Sequence, residues 1–152
     1  MGMFSLTAKV CDEPISERIN AGTDLPVWVR LKNPNGESCV TEELDEKSTL
    51  LGIDTINDWE QGSSKTWGKR WLGNCTNFIP VEGMKCKFDV RRDGALTRDP
   101  LRMCKLTVSF GSRNLPRKRT HWEWRGPKTI FNSDFEPTKE EMAKNWFKMQ
   151  RI

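Results

Sequence analysis

The run Asn20-Ala21-Gly22-Thr23-Asp24-Leu25-Pro26-Val27-Trp28-Val29-Arg30-Leu31 constrains this chain more than any other segment. A polar, glycine-containing turn feeds straight into an alternating stretch. Side chains of a strand alternate between its faces, so Leu25, Val27, Val29 and Leu31 share one face while Trp28 and Arg30 take the other. Such a strand is buried on one side and needs a second layer to cover it. The turn places a flexible glycine, a hydroxyl and a carboxylate at the mouth of a sheet. That set can hold a cation or cap a loop, and it contains no evident nucleophile.

The same period recurs along the chain. Phe4, Leu6, Ala8 and Val10 alternate and predict a first strand. Asn33-Pro34-Asn35-Gly36 is a turn whose Asn-Gly pair is a strong hairpin signal, with Ser38 to Leu44 as the returning strand. Trp67 and Trp71 are spaced for one strand face. Cys86, Phe88 and Val90 alternate with charged residues, as do Cys104, Leu106, Val108 and Phe110 with polar ones, which assigns Cys86 and Cys104 to the core. Trp122 and Trp124 flank Glu123 in another extended piece. Near the end, Thr138 and Glu141 form a capping-box signature, and Met142, Trp146 and Met149 lie on one helical stripe. The reading is a helix from about Lys139 to Gln150.

The expected fold is therefore all-β: an antiparallel β-sandwich of about eight strands with one C-terminal α-helix. Residues 1–136 form the sandwich, including a basic, Trp-containing segment, and residues 137–152 form an amphipathic helix packed on it. A chain of 152 residues fits one domain with a real core. Its 25 bases and 21 acids leave a net charge of +4, too mild to demand a nucleic-acid partner by itself. No apolar run approaches the ~20 residues of a membrane span. Met1 to Val10 lacks the pattern of a signal peptide, which implies a cytoplasmic chain as it stands, or a secreted one from which a leader was removed.

Cys11, Cys39, Cys75, Cys86 and Cys104 are odd in number, so at least one is unpaired within the chain. Small buried hydrophobes are the favoured reading, with two disulfides plus a free thiol as the alternative. Without a Cys-x-x-Cys and with a single His, zinc is not expected. Asn74-Cys75-Thr76 has the form of a glycosylation sequon.

Three pieces of residues 4–110 resemble, in order, a PLAT/LH2 domain, the β-sandwich of lipoxygenases and some lipases. They are Ala21-Gly22-Thr23-Asp24 with Val27-Trp28-Val29-Arg30-Leu31; Asn57-Asp58-Trp59-Glu60-Gln61-Gly62-Ser63-Ser64-Lys65-Thr66-Trp67; and Leu72-Gly73 followed by Phe88-Asp89-Val90 and Leu106-Thr107-Val108. The resemblance implies a non-catalytic module that attaches to a membrane surface or a protein partner. It also implies a calcium site at Gly22, Thr23 and Asp24, with Asp58 and Glu60 from a neighbouring loop. Loop aromatics Trp59, Trp67 and Trp71 would enter the lipid interface, and Lys65, Lys69 and Arg70 would meet anionic headgroups.

The basic segment offers a rival reading. Arg113, Arg117, Lys118, Arg119, Arg125 and Lys128 are interleaved with Trp122 and Trp124, which suits phosphate contact plus base stacking, and suits an anionic membrane equally. No catalytic set is visible: His121 is the sole histidine, and no Gly-x-Ser-x-Gly elbow occurs. A small hydrolase or a carbohydrate-binding sandwich is the remaining alternative.

Overall fold

The computed structural model describes residues 2–44, 47–48, 53–54, 59–91, 99–112, 114–133 and 136–152. Two antiparallel sheets face each other. Its strands are β1 (Gly2–Val10), β2 (Val27–Lys32), β3 (Ser38–Val40), β4 (Lys47–Ser48), β5 (Ile53–Asp54), β6 (Ser64–Gly68), β7 (Lys85–Val90), β8 (Leu101–Gly111), β9 (Thr120–Ile130), β10 (Phe147–Lys148) and β11 (Gln150–Arg151). One sheet runs β11-β9-β8-β1-β6, the other β10-β7-β2-β3, and β4 and β5 pair apart. Among the described residues the single α-helix, α1, covers Lys139–Ala143. The all-β sandwich expected from the alternation is the observed fold.

The inward faces explain it. Val27, Val29 and Leu31 of β2 are fully buried and pack with Leu6, Phe88, Leu106 and Val108 in one continuous core. Burial of such side chains contributes roughly 1.5–3 kcal/mol each, the main force holding the sheets together. Two bulges break the alternation. A register shift between Met3 and Ser5 turns Met3 into the core and leaves Phe4 half-buried beneath the Arg119 guanidinium, 4.8 Å away. A second shift, between Met103 and Lys105, turns Cys104 off the face of Leu106. An extra residue reverses which side a strand shows. Cys104 is thereby brought to Cys11, and the two form a disulfide.

Cys39 and Cys75 form a second disulfide, leaving Cys86 as a buried free thiol. The favoured reading of the cysteines as five small hydrophobes is thus corrected to its alternative. Cys86 does lie in the core, and burial pushes its thiol pKa up. Trp67 and Trp71 do not share a strand face, because the strand ends at Gly68 and Trp71 belongs to a short helical turn, Lys69–Trp71.

The C-terminus departs most from expectation. The capping box at Thr138 and Glu141 forms, but the helix stops after Ala143 rather than at Gln150. Lys144 is extended and Asn145 takes a left-handed φ of 63°, a common way for a helix to end. The chain then re-enters the sandwich. Phe147 pairs with Cys86 in one sheet and Gln150 with Glu123 in the other, while Met149 between them is buried. The tail is a clasp across both sheets, not a helix laid on one.

That clasp covers the outer face of β7. Lys87 is only 5% exposed, and its Nζ donates to the carbonyl of Glu141 at 3.0 Å and to that of Lys144. Burial lowers the pKa of this ammonium, and the neighbouring Asp89 carboxylate opposes that shift. Asp89 is itself 3% exposed and is held by Arg30 at 3.1 Å and Arg91 at 2.8 Å. Trp28 lies under Arg91, 5.0 Å from ring centroid to guanidinium.

Candidate functional site

The Gly22–Asp24 turn and the exposed cations Lys69, Arg70, Arg117 and Lys118 fall at opposite ends of the sandwich. β1 pairs Gly2 with Gly111 at one end, while at the other Cys11 receives the N–H of Gly62 and donates its own to Arg102. At about 3.3 Å per residue the nine residues of β1 hold these ends roughly 25–30 Å apart.

The Gly22–Asp24 turn occupies the first end. Asn20, Gly22, Thr23, Asp24, Trp59, Glu60, Gln61 and Asp99 surround a polar cleft of about 460 Å³. Glycine is required at position 22, because a Cβ there would sit 2.2 Å from the Trp59 carbonyl oxygen. The turn's hydroxyl and N–H groups are spent on its own architecture. The Thr23 hydroxyl donates to the Asp99 carbonyl at 2.8 Å, the Asp24 N–H to the Asp99 carboxylate at 2.8 Å, and the Ala21 N–H to Gln61 at 3.0 Å. Asp99 was missed from sequence, since it reaches the turn from a distant stretch and carries no motif, while Asn20 and Gln61 lie in stretches that stood out but were given no role. Asp24 and Glu60 line the cleft, whereas Asp58 lies outside the described residues. Among the described residues no three His, Cys, Asp or Glu side chains converge as metal ligands.

Trp59 and Trp67 are 4% and 5% exposed and stack on each other at 5.2 Å. The Trp59 indole N–H donates to the Leu44 carbonyl at 2.9 Å. Both rings are core, so the expectation that they enter a lipid interface is corrected. Trp71 is half-buried under Arg70, 5.5 Å away. Lys65 lies within β6 opposite Ala8, between the two ends.

The second end combines apolar and basic groups. Gly2, Phe78, Ile79, Pro80, Phe110, Gly111, Lys118 and Thr120 line an apolar cleft of about 190 Å³. Ile79 is 63% exposed, and Leu115, in the β8–β9 loop, is 48% exposed. Among the loop's described residues, the Leu115 N–H donates to the Ser112 carbonyl at 3.1 Å and the Lys118 N–H to that of Leu115 at 3.0 Å. A second cleft beside Gly2 and Gly111 is bordered by Lys69 and Asn114. Lys69, Arg70, Arg117 and Lys118 are all exposed. Glu37 and Glu82 are exposed acids in the turns beside this end. Neither Ile79 nor Leu115 stood out in the sequence: Leu115 is a lone apolar residue between Asn114 and Pro116, and Ile79 sits in the apolar run Phe78-Ile79-Pro80-Val81, which reads equally well as core.

The basic segment itself is dispersed. Arg113 lies outside the described residues. Arg117 and Lys118 are at the loop tip and Arg119 packs over Phe4. Arg125 is paired with Glu123 on the outer face, and Lys128 lies further along β9, opposite Met103. Trp122 and Trp124 are buried in the core. His121 is exposed, with its Nδ1 2.7 Å from the Ser109 hydroxyl.

Comparison with protein-family models, curated proteins and solved structures returned no match.

Proposed function

We propose that this protein is a non-catalytic, PLAT-like binding module that attaches to an anionic membrane surface through the end of the sandwich bearing Ile79 and Leu115. The observation that supports this most is the meeting of exposed Ile79 with Lys118 around one cleft, with exposed Leu115 in the same β8–β9 loop as Lys118 and the exposed cations Lys69, Arg70 and Arg117 nearby. Shallow apolar insertion and headgroup attraction reinforce each other at such a surface. The attaching aromatics of the sequence reading are replaced here by aliphatic side chains. The nucleic-acid reading is disfavoured, because Trp122 and Trp124 are buried and cannot stack on bases. A calcium ion held near Asp24, Glu60 and Asp99 would sit at the far end, so it would not bridge this surface to headgroups.

The test is co-sedimentation with phosphatidylserine-containing and with neutral phosphatidylcholine vesicles, at low and high salt. Binding is expected to anionic vesicles, weakened by salt and indifferent to chelator. Arg117→Gln with Lys118→Gln removes two cations worth about 1 kcal/mol each at the surface, lowering partitioning roughly 30-fold. Ile79→Ser with Leu115→Ser lowers it on the same vesicles without altering the fluorescence of the buried tryptophans. Absence of binding to anionic vesicles, or binding untouched by both double variants, would refute the proposal.

A further inference from the structure

We infer that Asn74 is an N-glycosylation site, so that this chain is a substrate for transfer of an oligosaccharide from a polyprenyl-pyrophosphate carrier. Asn74-Cys75-Thr76 is the one Asn-x-Ser/Thr in the chain, and three observations lift it above a chance match. First, its central residue is in the Cys39–Cys75 disulfide, and a second disulfide joins Cys11 to Cys104. Structural disulfides form in the oxidising compartments where such transfer occurs. Second, Asn74 is exposed in the short helical turn Gly73–Asn77, on the flank of the sandwich. Third, its side chain is held in a definite orientation. The N–H of Val40 donates to Asn74 Oδ1 at 2.8 Å. An N–H partner requires the oxygen on that side, so Nδ2, the atom that is modified, is the end of the exposed amide turned away from Val40.

The folded site therefore accommodates a glycan without losing the hydrogen bond from Val40. In the transfer, Nδ2 forms a bond to the anomeric carbon of the sugar and gives up one proton. The bond from that carbon to the pyrophosphate oxygen breaks, and the lipid pyrophosphate leaves with the electron pair. The native turn, tied to Cys39, fixes the sequon in a bent form, which places transfer before closure of that disulfide. Position adds a consequence. β3 is an edge strand of only three residues, and Val40 is on it. A glycan at Asn74 shields that edge from pairing with another chain. None of this depends on the lipid-binding reading.

The test is expression of the full chain behind a secretory leader in eukaryotic cells, followed by digestion with a glycan-releasing amidase. The wild-type chain is expected to show one mobility step that the enzyme abolishes, leaving Asp at position 74 in the mass spectrum. Asn74→Asp, which keeps the oxygen acceptor for Val40, and Thr76→Ala, which removes the sequon hydroxyl, are each expected to lose the step. Disulfide-bonded wild-type chain of unchanged mobility, whether secreted or retained in the cell, would overturn the inference. So would a step that persists in Asn74→Asp.

Discussion

Replacing Cys11 and Cys104 by alanine removes the cross-link that ties β8 to the end of β1. Its cost can be worked from the loop it closes. The two cysteines are 93 residues apart, but the Cys39–Cys75 link, spanning 36, lies inside that loop and shortens the path to about 57 residues. In the chain-entropy account, a closed loop of that length restricts the unfolded state by about 4 kcal/mol at 25 °C. Cys39→Ala with Cys75→Ala removes a loop of 36 residues, again worth about 4 kcal/mol. The logarithmic dependence on loop length, with a small contribution from the nesting, makes the two links nearly equal despite their different spans. Small domains have about 5–15 kcal/mol in all, so either loss is severe, and at this chain length it corresponds to a fall in Tm of about 8–16 °C.

Urea unfolding followed by tryptophan fluorescence measures this directly, since Trp59, Trp67, Trp122 and Trp124 are all buried and report on the core. Thiol titration of the denatured, unreduced wild type provides the control: one reactive thiol is expected, that of Cys86. Five reactive thiols would show that the pairing is wrong. A single thiol together with a loss below about 1 kcal/mol, or losses differing by more than about 2 kcal/mol between the two variants, would refute the loop-entropy reasoning.

Two further outcomes follow from the backbone and the clasp. Lys87→Met leaves the carbonyls of Glu141 and Lys144 without their charged donor, at a net cost of about 1–3 kcal/mol in urea melts. Burial holds the Lys87 pKa below its usual 10.5. Between the folded value and 10.5 the unfolded chain therefore binds the extra proton. Stability should rise with pH across that interval in wild type, and this contribution should be missing in Lys87→Met. Gly73→Ala combines a φ of +54° with a Cβ placed 2.4 Å from the Val40 carbonyl oxygen, whereas Gly36→Ala at φ +93° meets open space. The first should cost more than about 2 kcal/mol and the second about 1 kcal/mol, and equal costs in urea melts would contradict the packing argument.

How much was legible follows from where the physics is local. The burial of Val27, Val29 and Leu31 was readable because a strand with one wet face repeats its pattern every two residues. The capping box was readable because its donors and acceptors lie within four residues. The bulges at Phe4 and Cys104 were not, since one inserted residue reverses a face without any change in composition. The tail was misread for a related reason. Met142, Trp146 and Met149 fit a helix, yet Phe147 and Met149 also suit a chain passing between two sheets. Tertiary pairing with β7 and β9 decides between them.

The candidate site shows the same limit at longer range. Glu60 and Lys69 are close in sequence, and the resemblance assigned one to a calcium site beside the Gly22–Asp24 turn and the other to a lipid-facing surface of the same module. β6 runs between them, and its five residues carry the chain from the acidic cleft toward the basic end. Residues near each other in sequence are thereby separated, while Lys69 and Asn114, 45 positions apart by their numbers, border one cleft. The mild net charge of +4 hides this arrangement for the same reason. A sum over the chain has no direction, but attraction to a charged surface depends on which cations stand together. Lys69, Arg70, Arg117 and Lys118 stand beside Ile79 and Leu115 because the β6 exit and the β8–β9 hairpin open at the same end of the sandwich. The proposed attachment surface is thus a product of strand direction, and no single stretch of this sequence contains it.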